Sequence, residues 1–136
     1  MMRQPLTRTL LSPSPMEWEL FSLFWVPDGF DGKGYVELPY TLPQDFTLFV
    51  LMKEKNIDIW KRKLDWIAEH GCMALLNTHP DYMYFGDGKP GVEEYPAWYY
   101  EEFLQYIKDK YEGLYWHVLP RDLARYWSKH YSHNVL

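Results

Sequence analysis

His79 stands in the run LLNTHPDYM, residues 75–83. The apolar residues Met73, Ala74, Leu75 and Leu76 stop at Asn77, and Thr78, His79, Pro80, Asp81 and Tyr82 come directly after. A histidine titrates near neutrality, so it can give or take a proton in a reaction. A carboxylate beside it would orient the ring and favour its charged form, and Asp45 and Asp81 are the two candidates. The plainer reading is that His79-Pro80 turns the chain and Asp81 caps the next turn. The residues alone leave the two readings open.

Other chemistry has weaker support. A catalytic zinc site takes about three protein ligands, yet the chain has no HExxH motif and no clustered Asp-Asp pair. His130 and His133 are correctly spaced for a helix face but fall at the C-terminus, where a solvated tail is the simpler expectation. His117 alternates with Trp116 and reads as structural. His70 closes an expected helix, where a cation suits the dipole. Cys72 sits in an apolar run and reads as buried and inert. No serine occupies a GxSxG elbow. The loop Asp28–Gly34 is acidic and Gly-rich, but its spacing is not that of an EF-hand and no Glu closes it.

Composition bounds the rest. The chain has 136 residues, 47% of them hydrophobic and 24% charged, which suits one globular domain. A net charge of -5 without a basic stripe argues against nucleic acid as a partner. No apolar run is long enough to span a membrane. Arg3 and Arg8 precede only Leu10-Leu11, so no signal peptide is expected. A lone cysteine cannot form an internal disulfide, which points to a reducing compartment and a cytoplasmic location. Aromatic residues reach 19%. They fit a ring-rich core, or a cleft that stacks on sugars.

The elements that must position His79 emerge from local patterns. Tyr35–Leu38 reads as a short strand. Pro39 and Pro43 enforce an extended segment around Tyr40-Thr41-Leu42 that leads to Asp45. Phe46–Met52 is continuously apolar, so strand and helix cannot be told apart there. Asn56–His70 is a helix with Asn56 as its cap, Ile57, Trp60, Leu64 and Ile67 on one face, and Gly71 as its stop. Cys72–Leu76 reads as a buried strand. A second helix opens at Pro96 and ends at Gly113. Leu114–Val118 reads as a third strand, and Pro120 opens a last helix with Leu123, Trp127 and Tyr131 as its stripe. This alternation predicts an α/β protein with a parallel sheet. His79, Asp81 and the Pro39–Asp45 segment would then share the functional rim at strand C-terminal ends.

Three stretches also carry a resemblance: VELPYTLPQD (36–45), ALLNTHPDY (74–82) and YYEEFLQYIKDKYEGLYWHVLPRDLARYW (99–127). In their order and spacing they resemble the C-terminal half of a polysaccharide deacetylase domain of the NodB-homology, carbohydrate esterase 4 type. The resemblance implies an irregular (β/α)7 barrel that removes acetyl groups from N-acetylated carbohydrate, or hydrolyses related amides and esters. It implies a divalent, zinc-type metal in a complete domain. His79 matches the late histidine that serves as general acid, and Asp45 is the match for the acidic residue that supports it. Tyr40, Asp81 and Tyr82 are the expected substrate contacts.

The sequence departs from that family at its start. Residues 1–34 carry neither the Asp-Asp motif nor the H-x-x-x-H pair that hold the metal, so no metal ligand is expected in this chain. Residues 1–34 are expected to be a segment loosely structured in part, and 35–136 the C-terminal half of the domain, inactive alone. Half a barrel leaves strand edges unpaired. It is therefore expected to form a homo-oligomer or to associate with the missing N-terminal half. A non-catalytic module that binds carbohydrate or protein is the alternative.

Overall fold

The computed structural model describes residues 23–29 and 31–131. Residues 1–22 of the segment expected to be loosely structured in part lie outside the described residues, as does His133. The described chain is a mixed α/β structure of three α-helices and small sheets. Strands β1 (Phe24–Pro27) and β2 (Gly34–Glu37) pair antiparallel, Phe24 opposite Glu37 and Pro27 opposite Gly34. Between them Asp28 N–H donates to the Lys33 carbonyl at 2.8 Å.

Phe46–Leu51, the run that periodicity could not assign, is a π-helical turn. Its wide pitch shows in the bond from Met52 N–H to the Thr47 carbonyl at 3.0 Å. The turn buries the consecutive residues Leu48, Phe49 and Val50, while Leu51 is exposed, so burial here follows no helical stripe.

Helix α1 (Asp58–His70) matches the expected pattern closely. Asn56 Oδ1 accepts from Asp58 N–H at 3.0 Å. Ile57, Trp60, Leu64 and Ile67 are buried. Gly71 ends the helix at φ 68°, a left-handed conformation that costs glycine little. There Gly71 N–H reaches the Ala68 carbonyl and Cys72 N–H the Ile67 carbonyl, which satisfies the terminal acceptors. Two-residue strands β3 (Met83–Tyr84) and β4 (Tyr95–Pro96) pair parallel. Helix α2 (Trp98–Tyr111) begins two residues after Pro96, and α3 (Pro120–Tyr131) begins at Pro120.

Two expected strands are corrected. Cys72–Leu76 forms no ladder, and its residues are half-buried or exposed. Side-chain and backbone bonds hold it instead: Leu75 N–H donates to Thr41 Oγ1 at 2.7 Å, and the Leu75 carbonyl accepts from the N–H groups of Thr41 and Leu42. Leu114–Val118 is not a strand either. Leu114 is 78% exposed and Trp116 58%, so its apolar composition is not matched by burial. The described residues therefore contain two two-stranded sheets, not one continuous parallel sheet. The rim of such a sheet is not what positions His79.

The core is built from rings. Phe49 meets Trp60 edge-on at 4.9 Å and lies 4.6 Å from Tyr95 and 5.0 Å from Tyr99. Trp60 also packs on Phe103 at 5.0 Å, and its indole N–H donates to the Pro43 carbonyl at 2.7 Å. Polar bonds clasp α1 to α2. Asp65 accepts from the Tyr106 and Tyr111 hydroxyls at 2.7 and 2.6 Å and pairs with Lys110 at 2.9 Å. Burial alone would raise the Asp65 carboxyl. Bonds from Tyr111, Lys110 and Tyr106 outweigh it and hold the group below its ordinary 3.8.

Trp60→Ala should cost about 3–5 kcal/mol in urea unfolding monitored by circular dichroism. Trp116→Ala, at an exposed position, should stay within about 0.5 kcal/mol of the native chain. Equal losses would contradict the assignment of the core to the Trp60 side. The Asp65 clasp has a pH signature. Its carboxyl is lowered on folding, so its share of stability is present above pH 3.8 and is lost as pH falls through the folded value. Asp65→Asn should therefore flatten the acid limb of the stability profile; an unchanged limb would show that the clasp does not survive in solution.

Candidate active site

Asp45 is fully buried, and it is the residue from which the site is built. It sits at the N-terminus of the π-helical turn; the segment before it, expected to be extended around Pro39 and Pro43, bends at Leu42. Four donors converge on its carboxylate. Oδ1 accepts from Phe46 N–H at 2.8 Å and from His79 Nδ1 at 2.7 Å. Oδ2 accepts from His79 N–H at 2.7 Å and from the Tyr95 hydroxyl at 3.0 Å. Two oxygens offer about four lone-pair directions, so the acceptor is saturated. Desolvating a carboxylate costs several kcal/mol, and four charge-assisted bonds at about 1.5–3 kcal/mol each are of the size that offsets it.

Two segments bring the pair together. Thr41 meets Leu75, and Asp45 meets His79, each across 34 positions. The constant offset means that the segments run side by side in the same direction, with α1 as the crossover between them. A helix thus joins two segments that run in the same direction without a backbone ladder. Just past His79, Pro80–Tyr82 forms a 3₁₀ turn in which Tyr82 N–H donates to the His79 carbonyl at 3.1 Å. That turn folds the Tyr82 ring back, edge-on, to 5.5 Å from the imidazole and 5.0 Å from Phe46.

The imidazole is thus oriented by Asp45 at its Nδ1 edge and meets Asn77 at its Nε2 edge. Asp45 Oδ1 can only accept, so Nδ1 carries a proton. In the neutral ring Nε2 then presents its lone pair, and Asn77 Nδ2 lies 3.3 Å from it, placed to donate. About a third of the His79 side chain (35%) is open to solvent, against none of Asp45. A positioned, partly exposed imidazole backed by a buried carboxylate is suited to proton transfer.

Of the residues expected at the site, the structure brings Asp45, His79 and Tyr82 together. Asp81 is exposed in the first turn position and Tyr40 is 60% exposed; neither is a hydrogen-bond or ring partner of His79. The carboxylate that orients His79 is Asp45, not Asp81. Asp81 and Tyr82 do border a concavity closed by the Gly91–Glu94 turn, beside the ring that touches His79. Asn77 and Tyr95 are additions to the expected set. Asn77 lies inside the polar motif, where its nearness to His79 was the available signal. Tyr95 is 50 positions from Asp45 and no spacing rule points to it. Burial, then Asp45, push the Tyr95 phenol well above its usual range, so it remains a donor.

The remaining candidates sit apart. His70 Nδ1 lies 2.8 Å from the Trp66 carbonyl and its ring stacks on that indole. His117, expected on a strand, is exposed beside Tyr115. Cys72 is half-buried rather than buried, and burial raises its thiol. A zinc-type metal does not fit the described residues. No group of three His, Cys, Asp or Glu is placed to hold one, and His79 Nδ1 is already engaged by Asp45. Comparison with protein-family models, with curated proteins and with solved structures finds no match to this chain.

Asp45→Asn would set an amide N–H against donors it cannot accept from. It should destabilise the chain by about 2–4 kcal/mol in chemical denaturation, while exposed Asp81→Asn should shift it by no more than about 0.5 kcal/mol. A neutral effect of Asp45→Asn would contradict the four-donor arrangement.

Proposed function

We propose that this chain is the C-terminal part of a polysaccharide deacetylase-like domain and that His79 is its proton donor. In the complete domain the fold would be an irregular (β/α)7 barrel. The observation that carries the reading is the buried Asp45 carboxylate held 2.7 Å from Nδ1 of a His79 side chain that is itself partly open to solvent.

The chain's own residues supply one step. As the amide C–N bond of an N-acetyl sugar breaks, imidazolium Nε2–H gives its proton to the leaving nitrogen, which departs as the free amine. The Nδ1 proton stays between the ring and Asp45, and the carboxylate steadies the imidazolium without taking that proton. Tyr82 and the concavity it borders with Asp81 would receive the sugar. Polarising the carbonyl and activating water belong to the metal-bearing half, whose ligands the described residues do not assemble. The exposed Leu114, Trp116 and Leu119 would be covered by that half or by a second copy.

A non-catalytic module that holds a glycan or a protein is the second reading. Exposed Tyr115, Trp116 and Tyr126 favour it, because ring faces of this kind stack on sugars. Among the described residues no helix is long and apolar enough to cross a membrane. The proposed cytoplasmic location rests instead on the lone cysteine, Cys72.

Acetate release from N-acetylglucosamine oligomers discriminates. The purified chain should release none, with or without added zinc. Joined to a metal-bearing complement it should turn over, and His79→Ala should lower that rate by about 10²–10⁴-fold. Turnover by the chain alone, or turnover indifferent to His79, would sink the reading. Oligomer binding that perturbs Trp116 but not His79 or Tyr82 would favour the module.

A further inference from the structure

The structure assigns Tyr95 as the positioning residue of the Asp45–His79 pair: its hydroxyl fixes the carboxylate that aims the imidazole. The inference rests on the proton-donor reading for its purpose, though not for its geometry. Three of the four donors to Asp45 come from the two segments that carry the pair, His79 twice and Phe46, the chain neighbour of Asp45, once. Tyr95, on β4, is the one donor from a third segment. It loads Oδ2, while His79 Nδ1 loads Oδ1. Oδ2 also accepts the His79 N–H at 2.7 Å, so turning the carboxylate plane about its Cβ–Cγ bond breaks the Tyr95 bond together with one from the segment that carries the imidazole.

Tyr95 is itself immobile. It is 2% exposed, its ring lies 4.6 Å from Phe49, and Met83 of β3 pairs with it. Ala97 N–H binds the Tyr84 carbonyl at 2.9 Å and closes the same short parallel pair. Core packing is thus transmitted through one hydroxyl to the ring that faces solvent. A phenol held far above its usual titration range keeps donating wherever the chain is folded. Charge sharing gives the sign. A carboxylate with four donors divides its charge among them, and with three it binds each more strongly.

The test uses the whole chain and needs no turnover, so its failure is separable from failure of the deacetylase reading. Tyr95→Phe removes the hydroxyl. Tyr99→Phe is the matched control, a buried ring of the same cluster whose hydroxyl donates to the Lys55 carbonyl at 2.6 Å instead. Proton NMR of the His79 Nδ1–H should show a downfield shift in Tyr95→Phe and none in Tyr99→Phe. No shift in Tyr95→Phe, or equal shifts in both, would overturn the assignment. Should Tyr95→Phe not fold, the native chain decides. The Tyr95 hydroxyl and His79 amide protons meet at Asp45 Oδ2, so a nuclear Overhauser contact between them supports the assignment and its absence overturns it.

Discussion

A carboxylate with no exposure to water is the constraint on which the rest of this structure depends. Asp45 cannot be solvated, so the chain must deliver donors to it, and they arrive from residues 46, 79 and 95. That requirement fixes where the π-helical turn starts, which way the segment after α1 must run, and why a tyrosine stands on β4. The imidazole that results has Nδ1 committed to Asp45 and Nε2 beside the Asn77 amide.

The aromatic core serves this arrangement more than it serves a sheet. Phe49 is in the turn that begins at Asp45, and it packs on Trp60, Tyr95 and Tyr99 together. Trp60 anchors α1 and, through Pro43, the segment that leads to Asp45. Rings are stiff and carry large contact area, so a few can hold three segments in register where backbone ladders are only two to four residues long. The outer surface of the C-terminal segment takes no part in that core: none of residues 114–130 belongs to it.

The sequence was legible where local chemistry decides. The helix at 58–70 declared itself by its cap, its stripe and the glycine after it, because these are short-range effects. His79 and Asp45 could be named because their motifs are dense and polar against apolar flanks. Asp81 looked equally able to orient His79, since distance in the chain says nothing of which carboxylate is buried. Strands at 72–76 and 114–118 were misread because a strand depends on a partner, and apolar composition does not reveal whether one is there. The apolar run at 46–52 concealed a π-helical turn because its composition does not tell the buried Leu48–Val50 from the exposed Leu51 and Met52. Tyr95 was invisible for the plainest reason, a long-range contact made by a common residue.

Asp45 fixes which edge of His79 is protonated, and every functional step described above depends on that. Long-range proton–nitrogen NMR on the chain labelled at histidine measures it directly at a pH where the ring is neutral. His79 should carry its proton on Nδ1, with Nε2 showing the nitrogen shift of an unprotonated acceptor. A ring protonated on Nε2, or one averaging freely between the two forms, would contradict the assignment.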